Sequence, residues 1–148
     1  MEKIVPTISS SVRGPLGACH LPRLWLKIVL HATGRLPEGY RHGSGGFDGM
    51  TIEGLGLDGD AFVAYVESER PTYLACEAWV RAHATRLDAA SLEEHNRIIL
   101  ERVKTEEAAA EQLREIGAGV PPGLRHAVSL NDLDDWTSLH RQVTAPVV

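Results

Sequence analysis

The sequence predicts an all-α fold: a compact single domain of five or six helices over residues 1–148, with residues 1–19 as an extended arm. Three observations carry that reading. Apolar residues recur at helical spacing in several separate stretches. Residues that start or stop helices, such as Pro22, Gly34, Asp58, Pro71, Ser91 and Gly117, bracket those stretches. Strand-like alternation is confined to "MTIE" (50–53) and "AVSL" (127–130), both short.

The arm holds Pro6, the run Ser9-Ser10-Ser11, Gly14, Pro15 and Gly17, a composition of turns and extended chain. A helix begins near Leu21, with Pro22 in a first turn that does not need its N–H, and ends at Gly34, a natural left-handed cap. Leu36 to Gly46 reads as a glycine-rich loop, and a short helix follows Asp48 as its N-cap. Asp58 caps "GDAFVAYVESE", in which Phe62, Val63 and Val66 share a face. "RPTYLACEAWVRAHATRL" is the next helix, with Pro71 near its first turn and Leu74, Ala78 and Val80 to Ala84 making apolar contacts.

Ser91-Leu92-Glu93-Glu94 matches a capping box. Behind it Leu92, Ile99, Val103, Ala110 and Leu113 keep a helical period to Gly117. The pairs Glu93/Arg97, Arg97/Glu101 and Arg102/Glu106 place charge on the opposite face. "GAGVPPG" is a loop, and a last helix spans about Asn131 to Arg141, capped by Asn131 or Asp132.

Composition is that of an ordinary folded chain, with 43% hydrophobic and 24% charged residues. Net charge is −5, which argues against a nucleic-acid binder or an anionic-membrane binder. The charge is unevenly placed. Residues 1–42 hold six Lys/Arg and two Glu, while residues 43–148 hold nine Lys/Arg and eighteen acids. A basic N-terminal third docked onto acidic helices is the economical explanation. Cys19 and Cys76 form neither a metal-spaced pair nor a disulfide framework, and read as buried, inert thiols. No apolar run is long enough to span a bilayer, and the start has no secretory h-region, so the expected location is cytoplasmic. No cofactor is implied, and nothing in the residues specifies an oligomeric state.

Several motifs resolve into ordinary structure. Gly54-Leu55-Gly56-Leu57-Asp58-Gly59 spells G-x-G-x-x-G, but no strand precedes it, so the glycines form a turn between helices. "HGSGGF" (42–47) lacks the spacing of a nucleophile elbow. The histidines at 20, 31, 42, 83, 95, 126 and 140 are scattered, with no H-E-x-x-H or H-x-H, so no metal ligand set is assigned from spacing. Asp132, Trp136 and His140 share a helix face with Asp135 close by, and a site joining His140 to His20 or Asp48 would have to be assembled in three dimensions.

One pattern is sharper. Arg23, Lys27, His31 and Arg35 recur every four residues, drifting about 40° per step on a 3.6-residue period. Between them lie Leu, Trp, Ile, Val and Ala, so this helix is largely buried with one basic ridge. A buried cation needs a partner. The partners are either acids of this chain, such as Asp48, Asp58, Asp134 and Asp135, or a bound anion; the domestic acids are the more economical choice.

The order of "VPTISSSVRGPLGACHLPRLWLK", "GGFDGMTIEGLGLD", "RPTYLACEAWV", "LDAASLEEHN" and "AVSLNDLDDWTSLH" resembles a bacterial family of small proteins catalogued as domain of unknown function 5069. The resemblance covers nearly the whole chain. It includes His20, Pro22, Arg23, Trp25, Lys27, Tyr40, Asp48, Asn96, Asp135, Trp136 and His140, whereas His31 departs from the pattern. That departure narrows the ridge as a site to Arg23 and Lys27. The resemblance implies one compact domain and no particular activity.

The leading functional expectation is a small-anion-binding domain using His20, Arg23, Lys27, Tyr40, Asp48 and His140, with the glycines at 43–46 bringing backbone N–H groups to the ligand. Two alternatives stand beside it. One is a protein-interaction module with an acidic face on residues 91–117. The other is a metal-dependent hydrolase assembled from His20, Asp48 and His140.

Overall fold

Asp58, Thr72, Asp88 and Thr105 each sit one residue ahead of a helix and accept a hydrogen bond from the backbone N–H three residues on. They set the starts of four of the seven helices seen among the described residues of the computed structural model, which are 2–117, 119 and 121–147. The helices are α1 (Leu21–Ala32), α2 (Gly46–Gly54), α3 (Gly59–Glu69), α4 (Tyr73–His83), α5 (Ala89–Glu101), α6 (Glu106–Ile116) and α7 (Ala127–Thr144). The all-α expectation holds. No helix among them is long and apolar enough to cross a membrane.

The count exceeds five or six because the stretch 91–117 is two helices. Residues 102–105 break it: Val103 leaves helical geometry to bridge His126, and Thr105 caps a new start. Local capping there outweighs a continuous apolar period. Ser91 is likewise not the cap of α5. Asp88 is, and Ser91 sits in the first turn donating its N–H and hydroxyl to the Asp88 carboxylate. The short strand-like pieces are helical too, "MTIE" within α2 and "AVSL" as the opening of α7. That helix begins at Ala127, behind His126, rather than at Asn131 or Asp132.

Asp48 does not cap α2. It lies in the first turn of that helix, behind Gly45, and is buried. Leu74 is 67% exposed, so α4 packs through Cys76 and Val80 instead. On α5 the exposed Arg97 pairs with Glu94 and Glu101, not with Glu93. Residues 2–19 contain no helix, in agreement with an arm, and of the loop 117–123 Ala118 and Val120 lie outside the described residues.

Two apolar clusters meet across α1. In one, Leu21, Leu24 and Ile28 pack with Phe62 and Val66 of α3 and Cys76 and Val80 of α4. In the other, Cys19 of the arm joins Phe47 of α2, Ile99 of α5 and Ala127 of α7. Truncating a side chain as enclosed as Leu24 costs roughly 2–5 kcal/mol in such a setting. The last helices, α6 and α7, pack on each other and with α5 close the side of the domain that faces the basic ridge of α1.

Candidate functional site

The ridge of α1 is buried. Arg23 and Lys27 are each 5% exposed, and both meet acids of this chain. Arg23 forms a fork with Asp135 of α7, at 2.5 Å and 3.2 Å, and also donates to the arm carbonyls of Pro6 and Ile8. Tyr40 donates its hydroxyl to the same Asp135 oxygen, at 3.0 Å, and lies under the Arg23 guanidinium. Lys27 donates to Asp48 of α2 at 2.7 Å. Two of the four acids expected as partners, Asp48 and Asp135, are thus the partners; Asp58 caps α3 and Asp134 makes no ion pair among the described residues. His31 and Arg35, farther along the ridge, do not join this network.

His20 completes the arrangement. It precedes α1 with φ 74, a left-handed conformation that costs a non-glycine residue of order 1–3 kcal/mol and persists only where its surroundings determine it. Here they do. The ring is held at Nδ1 by Ser10 Oγ, 2.9 Å away, and at Nε2 by Asp48 Oδ1, 2.6 Å away. Burial pushes the imidazole down to about 4, despite the hydrogen bond to Asp48 that opposes it. The ring is therefore neutral at pH 7, with its proton on Nε2 facing a carboxylate that can only accept, and Nδ1 free to accept from Ser10.

Burial would raise Asp48, but the His20 hydrogen bond and the Lys27 charge outweigh it and leave the carboxyl at about 2. Burial lowers Lys27, with Asp48 opposing. The second Asp48 oxygen accepts the Gly43 N–H at 3.0 Å. Gly43 has φ +132, and a side chain there would run into Val63, so the residue must be glycine for this amide to reach Asp48. Ser10, His20 and Asp48 form the chain of partners seen in hydroxyl-nucleophile enzymes, but Ser10 is 1% exposed and does not open to the cleft described next. Its role is to hold the ring.

This network forms the floor of a cleft of about 880 Å³. His20, Arg23, Lys27, Tyr40 and Asp48 all line it, so five of the six sequence-predicted site residues come together. His140 does not: it is exposed on α7, outside the cleft. A metal set of His20, Asp48 and His140 is accordingly not assembled, and the Lys27 ammonium already occupies the side of Asp48 that an ion would take.

The walls were not legible from spacing. The break between α5 and α6 places Arg102 and Lys104 on the cleft, opposite Arg41 of the glycine loop. Lys104 bonds the side-chain oxygens of Gln112 (2.5 Å) and Asn131 (3.3 Å), and burial lowers its pKa with only a distant Asp134 opposing. Neither it nor Arg41 nor Arg102 forms an ion pair among the described residues. Arg41 lies across Gly45, where any side chain would collide with the guanidinium. The start of α2, Gly46 to Asp48, also lines the cleft and has no side-chain cap. The thiols take no part: both are buried, and burial pushes Cys76 up to about 12 and Cys19 above its usual value.

Fold and cleft together define an all-helical domain with a charged, solvent-accessible groove over a buried ion-pair floor. A family model described as Domain of unknown function (DUF5069) matches residues 7–137, and the chain belongs to that family. No curated protein matches it.

Proposed function

We propose that the chain binds a small anionic ligand, of the carboxylate or phosphate class, in this cleft. The observation that carries the reading is Lys104, a half-buried ammonium held by two neutral side-chain oxygens and lacking a carboxylate partner among the described residues. A partly desolvated cation of this kind gains most from an anion arriving beside it. Arg41, Arg102 and the uncapped start of α2 supply further donors, the last with the positive end of its helix dipole. The cleft has six Lys/Arg against five carboxylates, in a chain whose net charge is −5, so its local balance is reversed.

Arg23 and Lys27 then act differently from the sequence-based expectation. Their charges are already met by Asp135 and Asp48, so they shape and rigidify the floor instead of taking the anion. Tyr40, Glu38 and Asp134 offer the remaining polar contacts for the body of the ligand.

The test is thermal melting with and without phosphate or citrate. Wild type should be stabilised, with saturation at 100 Kd giving about 2.7 kcal/mol. Lys104→Met should keep the basal melting temperature within a few degrees and lose most of the anion-induced rise. An undiminished rise in that variant, or none in wild type, would sink the reading. The interaction-module alternative has less support, because the expected acidic face is split between α5 and α6.

A further inference from the structure

Away from the cleft, three side chains from separate elements converge on one surface point: His31 in the last turn of α1, His42 in the loop before α2, and Glu67 on α3. One ligand atom from each lies within 4.8 Å of the others. The two imidazoles are stacked, with centroids 3.6 Å apart and planes 9° from parallel. None of these side chains makes a hydrogen bond or ion pair among the described residues, and none lines the cleft. Their donor atoms are therefore uncommitted, unlike those of His20, which are both in use.

We propose that His31, His42 and Glu67 form a binding site for a divalent transition metal of the zinc class, with a position left open to water. Two imidazole nitrogens and a carboxylate oxygen suit zinc and its late first-row neighbours far better than magnesium or calcium, which prefer all-oxygen shells. Tetrahedral zinc with ligand bonds of about 2.0–2.2 Å needs its ligand atoms roughly 3.4 Å apart. The present spacing closes to that by rotamer adjustment of surface side chains, the stacked rings tilting so that their lone pairs converge. The ion would tie the glycine-rich loop to α1 and α3. Its neighbours in that loop are Tyr40, which donates to Asp135, and Gly43, which donates to Asp48, so metal binding would stiffen one wall of the cleft.

Calorimetric titration of zinc chloride into the tag-free, chelator-treated chain tests the site, with thermal melts alongside. One zinc per chain should bind saturably and raise the melting temperature, and magnesium at equal concentration should not. His31→Ala, His42→Ala and Glu67→Gln should each weaken zinc binding at least tenfold while leaving the metal-free melt and circular dichroism unchanged, because their side chains hold nothing else. His140→Ala, an exposed histidine elsewhere, should bind zinc as wild type does. Undiminished binding in His31→Ala and His42→Ala, an equal response to magnesium, no saturation at submillimolar zinc, or an equal loss in His140→Ala would each overturn the proposal.

Discussion

The floor and the wall of the cleft carry the same kinds of charge and use them in opposite ways. On the floor Arg23 and Lys27 are nearly inaccessible and bonded to Asp135 and Asp48 within a network that also holds His20 and Tyr40. On the wall Lys104 rests on two neutral side chains, and Arg41 and Arg102 pair with no acid among the described residues. A paired, buried charge offers little to an incoming ligand, because its field is already spent on its partner and breaking that contact is costly. An unpaired, half-solvated one has that interaction still to make. The difference separates residues that build the cleft from residues that would use it.

The largest effects should come from breaking the floor. Asp135→Ala strands the Arg23 guanidinium and Tyr40, and Asp48→Ala strands Lys27 and the His20 N–H; each should cost about 3–5 kcal/mol in urea unfolding. A loss below about 1 kcal/mol would show that water reaches these cations and that the floor is not built on its pairs.

Acid should unmake the floor in two stages. The unfolded chain protonates histidine near its ordinary 6.5, the folded His20 only near 4, so the unfolded state binds more protons between those values. The stability from neutral His20 is complete above 6.5 and lost as pH falls toward 4. Asp48, at about 2 against an ordinary 3.8, contributes stability that is complete above 3.8 and lost as pH falls toward 2. His20→Asn tolerates the left-handed backbone and should flatten the first stage of a stability-against-pH curve. An unaltered slope between pH 6.5 and 4 in that variant would place the titration elsewhere.

Lys27→Met should be milder than either aspartate change, about 1–3 kcal/mol, because Asp48 keeps the His20 and Gly43 donors. Improved stability would instead mean that Lys27 is under strain from Arg23 and open to a ligand anion. Asp88→Ala should cost about 1 kcal/mol through loss of the α5 cap, and Ser91→Ala less, since Asp88 still caps the helix without it. Equal losses would return the cap to Ser91. The smallest change is Arg97→Ala, below about 0.5 kcal/mol, because its pairs with Glu94 and Glu101 are exposed.

Much of the floor was legible in the chain. Basic residues at four-residue spacing in an apolar helix imply buried cations, and buried cations imply acids close by. What spacing could not supply was which acids: Asp48 is 21 residues from Lys27 and Asp135 is 112 from Arg23. Asp48 was read as a helix cap because that is the cheaper local use of an aspartate behind a glycine loop. Long-range pairing overrode it. Lys104 left no signal, since its position depends on a break in a stretch whose apolar period runs on past it.

The sequence by itself determined that this protein is helical, where α1 starts and stops, that Asp58 caps α3, and that α1 buries a basic ridge. These follow from backbone sterics, capping chemistry and the 3.6-residue period, all of which act within a few residues. The tertiary structure alone decided the division of 91–117 into α5 and α6, the Ser10–His20–Asp48–Lys27 network, the exclusion of His140 from the cleft, and the meeting of His31, His42 and Glu67. Each of these joins groups distant in the chain, and their relative positions are set by how the two apolar clusters pack across α1.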